Sequence, residues 1–273
     1  MRTLLFIITA TFIFSKENPI LGRDKDPRVA SDISQFNLWA RKASWSILTS
    51  PGLQILTRWI YHSSTISHFH VKEDVVAFTI DDGFCGADNL EGCMVDEVRE
   101  LFKFYDAKAT FFVTGSHYDK SLNSKVDLLL IDGHEFANHN MMDWPYSNYS
   151  EEDFLIDFNR ADSILESYTN SISEWYRAPF GKLSNNMQNV LDNNNVTHVV
   201  CDAFANDTAI PDSEWISKFI LSRIKPGSII LIHMPEKGVR EWNYEAMRLT
   251  LQGLKDRNIK VVTLTELSNM SNK

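Results

Sequence analysis

From about residue 75 onward, the apolar positions of the chain fall into two alternating rhythms. Short runs rich in β-branched and aromatic residues occupy 75–80, 109–113, 135–138, 174–177, 196–200, 228–232 and 260–264, and read as buried strands. Between them, near 94–105, 121–131, 150–168, 184–193, 213–224 and 241–257, apolar residues recur three and four apart, as on one face of a helix. The clearest helix is 150–168. Ser150 precedes Asp153 by three residues, a capping pattern, and Phe154, Phe158, Ala161, Leu165 and Tyr168 make one stripe. Seven strands alternating with helices predict a parallel α/β architecture, closed as a barrel or wound as an open sheet by right-handed crossovers. In both, ligands gather at the carboxyl ends of the strands.

Upstream the rhythm is different. Arg2 precedes an apolar run over 3–14 and then polar Ser15, which reads as a signal peptide over 1–15, too short to span a bilayer comfortably. An uncleaved anchor is the alternative, because Ile13, Phe14 and Ser15 satisfy the small-residue cleavage rule poorly. Residues 16–72 read as a helical lead-in to a main domain over 73–273. Leu38, Ala40, Ser44, Trp45 and Leu48 have helical spacing, Pro51 and Gly52 break the run, and a second helix is expected over 53–61. Nothing in the lead-in points to chemistry, and His62, His68 and His70 read as structural or solvated.

Composition adds three constraints. A net charge of −9 over 273 residues argues against nucleic acid as a partner. Of three cysteines, Cys85 and Cys93 share one loop and could close a small disulfide ring, leaving Cys201 as a buried thiol. Asn148, Asn195, Asn206 and Asn269 head glycosylation tripeptides, which agrees with a secreted glycoprotein, and no segment beyond the first approaches transmembrane length, so no stable membrane insertion is expected.

The chemistry collects where the strands end. The first run stops in Asp81-Asp82-Gly83. Neighbours on a regular strand point to opposite faces, so both carboxylates can serve one site only if the chain leaves strand geometry there. Two such charges also need a cation or an arginine between them. The third strand leads into His139 and Asp143, four apart and able to share a face. The fourth ends in Arg177-Ala-Pro-Phe-Gly181, the fifth leads to Asp202 and Asp207, and the sixth to His233. Five of seven strand ends thus deliver an ionisable group to one rim, the pattern expected of a metal ion beside an acid–base pair.

In order and spacing these motifs resemble the polysaccharide deacetylase family, also called the NodB-homology domain or carbohydrate esterase family 4. Thr79-Ile-Asp-Asp-Gly83 is similar to its first motif, and Gly133-His-Glu with Asn138-His139 to its second. Arg177-Ala-Pro-Phe-Gly181 is similar to the third and Leu231-Ile-His233 to the last, over about 73–268. The resemblance implies a distorted seven-stranded β/α barrel that removes N-acetyl groups from a glucosamine-containing, chitin-like polysaccharide with the help of a divalent cation. Zinc is the first choice, with manganese, cobalt or iron as alternatives. It assigns the cation to Asp82, His139 and Asp143, the general base to Asp81 held ionised by Arg177, and the general acid to His233. Asp207 is preferred to Asp202 as the partner of His233. Pro179, Phe180, Trp144 and Leu231 are the expected substrate contacts, with backbone N–H groups around Phe180 facing the oxyanion.

Two departures stand out. The family's second motif usually ends in histidine where this chain has Asp143, a change that weakens the preference for zinc. Its fourth motif commonly carries Asp-Trp, whereas here Asn206-Asp207-Thr208 lacks the tryptophan, so Phe204 or Trp144 would have to supply that wall. These departures sustain an alternative: the same barrel as a glycan-binding module with an impaired metal site. Phe84, Trp144, Tyr146, Phe180 and Phe204 are candidates for sugar stacking, of which at most two or three are expected to face a ligand and the rest to be core. His134 reads as packing, and His117 as a remote candidate.

Overall fold

The computed structural model describes residues 33–50, 64–169 and 173–271. Its strands are β1 (Val75–Gly83), β2 (Ala109–Val113), β3 (Glu135–Asn138), β4 (Trp175–Tyr176), β5 (Thr197–His198), β6 (Ala203–Phe204), β7 (Ile229–His233) and β8 (Lys260–Val262). Its helices are α1 (Gln35–Leu48), α2 (Val95–Phe104), α3 (Asn123–Ile131), α4 (Glu151–Thr169), α5 (Asn185–Asn193), α6 (Ser213–Leu221), α7 (Trp242–Asp256) and α8 (Leu264–Ser271).

Seven strands run β5-β4-β3-β2-β1-β7-β6 in one curled parallel sheet, a half-barrel with helices outside. The centre is β1, buried at every position as its unbroken apolar run requires. One edge of β1 is shared: Val75–Ala77 pair with β8, and from Phe78 upward with β2. The open side of the curl is bridged by the segment before β1. The Ile66 N–H donates to the His198 carbonyl of β5 at 3.0 Å and its carbonyl accepts the Val200 N–H just beyond β5 at 2.8 Å, and the Phe69 N–H donates to the Gly227 carbonyl at 3.0 Å. Gly227 makes that approach possible: at φ +84° an added Cβ would stand 1.8 Å from the Phe69 oxygen.

The period of two sorts the core into layers. Val75, Ala77, Phe112, Ala137, Trp175, Val199, Ile229 and Val262 point into the curl and pack with Phe69, Leu264 and Leu267. Val76, Phe78, Ile80, Phe111, Phe136, Ile230 and Ile232 point out, beneath α2, α6 and α7. Each such buried side chain stabilises the fold by about 1.5–3 kcal/mol. The stripe of α4 packs as its spacing dictates, with all five residues buried and Phe154 and Phe158 against Tyr176. Its start is capped, Asp153 N–H donating to Ser150 Oγ at 3.1 Å and the Ser150 hydroxyl to the Asp153 carboxylate at 2.7 Å.

Four strands differ from expectation. Ala203–Phe204, expected as loop, is the strand β6 that pairs with β7. The last run is a strand only over Lys260–Val262, because Leu264 opens α8, its N–H received by Thr110 Oγ1. The runs at 174–177 and 196–200 shrink to two paired residues each. The expected signal peptide, the helix over 53–61 and His62 lie outside the described residues. Among the described residues no helix is long and apolar enough to cross a membrane.

Candidate active site

The inward faces of four strands continue, two residues at a time, into the candidate site. Ala77 and Thr79 lead to Asp81, Ala137 to His139, Trp175 to Arg177, and Ile229 with Leu231 to His233. Asp81 and His233 are direct neighbours in the β1–β7 register. Asp82 has the wrong parity for this rim. It reaches it because the β1–β2 register breaks between Ile80 and Gly83 and Asp82 takes a left-handed φ of 60°. A non-glycine residue held there costs energy that the surrounding packing must offset.

Asp81 is buried and receives the Arg177 guanidinium at 2.6 Å on one oxygen. Arg177 is held in turn by Thr79 Oγ1 (2.8 Å), the carbonyls of Val199 and Val200 (3.2 and 3.3 Å), and the Phe112 ring 4.0 Å below. The second Asp81 oxygen lies 3.9 Å from His139 Nε2, and Asp82 Oδ1 lies 3.8 Å from the same nitrogen. His139 Nδ1 donates to the Arg177 carbonyl at 2.8 Å. A carbonyl can only accept, so this bond places the hydrogen on Nδ1 and leaves the Nε2 lone pair facing the carboxylates.

Asp82, His139 and Asp143 each present a donor atom within 4.8 Å of the others, the first two buried and Asp143 exposed. One imidazole with a fixed tautomer and two carboxylates suit a divalent cation, and the exposed Asp143 leaves it reachable from solvent.

On the opposite side of Asp81, His233 Nδ1 lies 2.9 Å from Asp207 Oδ1, and the His233 backbone N–H donates to Asp207 Oδ2 at 2.8 Å. Asn243 Nδ2 donates to Asp207 Oδ2 (2.6 Å) and to the His233 carbonyl (3.0 Å), and the Trp242 indole to the Asp207 carbonyl (2.9 Å). Burial alone would lower the His233 pKa, but the Asp207 charge and hydrogen bond outweigh it and raise it above the ordinary histidine range. Burial likewise opposes ionisation of Asp207, and His233 reverses it, holding that carboxyl below its usual value. Asp202 is elsewhere, against His68 (3.0 Å) and the start of β7.

The structure brings Asp81, Asp82, His139, Asp143, Arg177, Asp207 and His233 together. Leu231 lies one inward position below His233, and Pro179 is buried in the turn after β4. Phe180 in the same turn is 40% exposed, whereas Trp144 is half-buried against Tyr146. Phe84 and Tyr146 are corrected as stacking candidates. Phe84 is enclosed by Phe111, Phe136 and Tyr168, and Tyr146 by Phe154 and its neighbours. Phe204 stays near the rim, its ring 5.9 Å from that of His233. Trp45 of α1 meets it edge-on at 5.4 Å and donates to its carbonyl at 3.0 Å. His134 is packing: its Nδ1 accepts the Ala109 N–H and burial lowers its pKa to about 4. His117 touches the Asp82 backbone carbonyl at 3.1 Å. Cys85 and Cys93 are joined, and burial pushes the Cys201 thiol up to about 12, away from nucleophile chemistry.

Sequence reasoning missed Arg240. Its guanidinium lies 2.8 Å from Asp82 Oδ2 and is buried. It sits in a turn with no apolar period, between Gly238 and Trp242, and nothing local signals the contact.

Residues 70–199 match the family model of polysaccharide deacetylases. A peptidoglycan-N-acetylglucosamine deacetylase of Bacillus cereus is 24% identical over 196 residues, 72% of this chain and 69% of that protein. A chitooligosaccharide deacetylase of Sinorhizobium fredii is 29% identical over 161 residues, 58% and 71% of the two chains. Among solved structures, a peptidoglycan N-acetylglucosamine deacetylase superposes with a TM-score of 0.67 at 22% identity, covering 75% of this chain and 92% of its own. A carbohydrate esterase family 4 pseudoenzyme from Bacillus anthracis superposes at 0.64 and 22% identity, covering 74% and 68%. These likenesses carry the curled β/α fold.

Proposed function

We propose that this chain, which carries a polysaccharide deacetylase domain over residues 70–199, is a secreted, metal-dependent hydrolase that removes N-acetyl groups from a glucosamine-containing polysaccharide. The observation that carries the proposal is that two ion-paired couples, Asp81–Arg177 at 2.6 Å and His233–Asp207 at 2.9 Å, neighbour a donor set in which Asp82 and His139 are buried and Asp143 is exposed. A pure binding surface has use for neither a held base nor a charged proton donor.

Asp82, His139 and Asp143 would hold the cation, which when bound polarises the acetyl carbonyl and acidifies the attacking water. Asp81, paired with Arg177 on one oxygen, takes the proton of that water through its second oxygen. The backbone N–H of Phe180 faces the developing oxyanion, a donor of a kind worth about 3 kcal/mol. His233, charged because Asp207 sustains it, gives its Nε2 proton to the departing amine, since Nδ1 is committed to Asp207. Leu231 and Pro179 form the apolar floor under the acetyl methyl, and Phe180 and Phe204 offer faces to the sugar. Trp45 of α1 packs edge-on against Phe204. Two carboxylates in the donor set would neutralise more of a bound cation's charge, so more of the water's activation would fall to Asp81. Zinc is the first choice, with manganese, cobalt or iron also suited to the oxygen-rich set.

The test is acetate release from N-acetylated chito-oligosaccharides and from peptidoglycan fragments, with and without a chelator. Chelator-sensitive acetate from either supports the reading and names the polymer, and none from both refutes it. One observation favours a second reading as a glycan-binding module: Arg240 already engages one oxygen of Asp82. That reading requires oligosaccharide binding without acetate.

A further inference from the structure

The carboxylates of the site outnumber the arginine that the mechanism uses. Asp81 has Arg177, and Asp207 has His233. Asp82 has Arg240, whose guanidinium is buried at 2.8 Å from Oδ2, the oxygen other than the one turned to His139. An arginine cannot lose its proton in a protein, so this is a fixed positive charge. Asp207 and Asp143 also act on it electrostatically.

The backbone that carries Arg240 is pinned. Glu236 and Val239 bond to each other across the turn at 2.9 and 3.0 Å. The buried Glu236 carboxylate accepts from Gly86 N–H (3.3 Å) and Asn89 Nδ2 (3.0 Å) in the disulfide loop. Arg240 itself is held at a left-handed φ of 53°, and its carbonyl accepts the Asn243 N–H at 2.9 Å. A flexible surface arginine would not be anchored on both sides in this way.

We propose that Arg240 is a built-in counter-cation for the Asp82–Asp143 donor set, a positioning residue that keeps the site assembled when no metal ion is bound. It grips Asp82 by Oδ2 alone, which leaves Oδ1 turned towards His139 in the geometry of a one-oxygen ligand. It also offsets the additional negative charge that Asp143 introduces where the family usually has a neutral histidine. The inference rests on the metal reading given above only for what the donor set binds, because the counter-charge acts in the metal-free protein.

The test compares wild type with Arg240→Gln and Arg240→Lys after exhaustive chelation, by thermal melting and by zinc titration calorimetry. Stripping the buried pair of its cation lowers the melting midpoint of chelated Arg240→Gln by about 10 °C. Arg240→Lys, which keeps the charge and loses the fork, recovers at least half of that. Zinc then binds Arg240→Gln about tenfold more tightly than wild type, since the resident charge no longer opposes it. A chelated Arg240→Gln that melts within about 2 °C of wild type, or that binds zinc more weakly, overturns the proposal. Should Arg240→Gln not fold, the double variant Asp82→Asn/Arg240→Gln decides: folding rescued by neutralising Asp82 supports the counter-charge, and no rescue overturns it. Wild type that binds no zinc at all contradicts the metal reading instead, while the chelated melting arm still decides this one.

Discussion

At the scale of single residues, the site is a balance of charges whose members have separable duties. Asp81 accepts Arg177 on one oxygen and keeps the other for chemistry, so Asp81→Asn should lower kcat by about 10²–10⁴ while zinc content stays at one per chain. Loss of activity together with loss of metal would mean that Asp81 is a ligand. His233 must be protonated to act as an acid, and its pKa is raised above 6.5 because Asp207 outweighs the effect of burial. Activity should therefore be retained through neutrality and fall as pH rises through that elevated value. Asp207→Asn removes the stronger of the two raising carboxylates, leaving Asp82 against burial, so the alkaline limb of the pH–rate profile should move to lower pH. A limb that stays in place would remove His233 from the role of acid. The gathering of these side chains at one rim was legible beforehand, because strand parity and the strand-end motifs are local properties of the sequence. Arg240 was not, because its partner Asp82 is 158 residues away and meets it only through a folded loop.

At the scale of elements, local rules predicted what local energetics decide. The stripe and cap of α4 came through intact because helix periodicity and a serine cap act within a few residues. β6, β4 and β5 are two residues each, too short to carry a period, and are strands only because a neighbour pairs with them. α8 begins where Thr110 and Glu135 receive its first N–H groups, a tertiary capping that no window on 260–264 can display. The loop after β1 is held by the Cys85–Cys93 disulfide, eight residues apart, and by Glu236. Closing so short a loop stabilises by about 2–3 kcal/mol. Cys85→Ser/Cys93→Ser should lower the melting midpoint by about 4–10 °C and increase amide exchange over 84–94. Unchanged exchange there would show that the loop is held by Glu236 alone.

At the scale of the whole molecule, the curled sheet works as a rim only if its open side stays shut. That seam is made by residues 66–69 bonding to β5 and to Gly227, contacts between parts of the chain more than a hundred residues apart, which hydrophobic pattern does not encode. Gly227→Ala places a Cβ against the Phe69 carbonyl at a positive φ and should cost about 3 kcal/mol or more, read as a fall in melting temperature. A wild-type melt would mean that the seam yields without loss. The central claim is that Asp82, His139 and Asp143 gather one cation around which Asp81 and His233 cleave an acetamide. It is tested most directly by adding zinc stepwise to chelator-stripped protein while recording acetate release from an N-acetylglucosamine oligomer. The account predicts a linear rise that ends at one equivalent of zinc per chain. Acetate release that is already complete before zinc is added, or absent at every ratio, would contradict it.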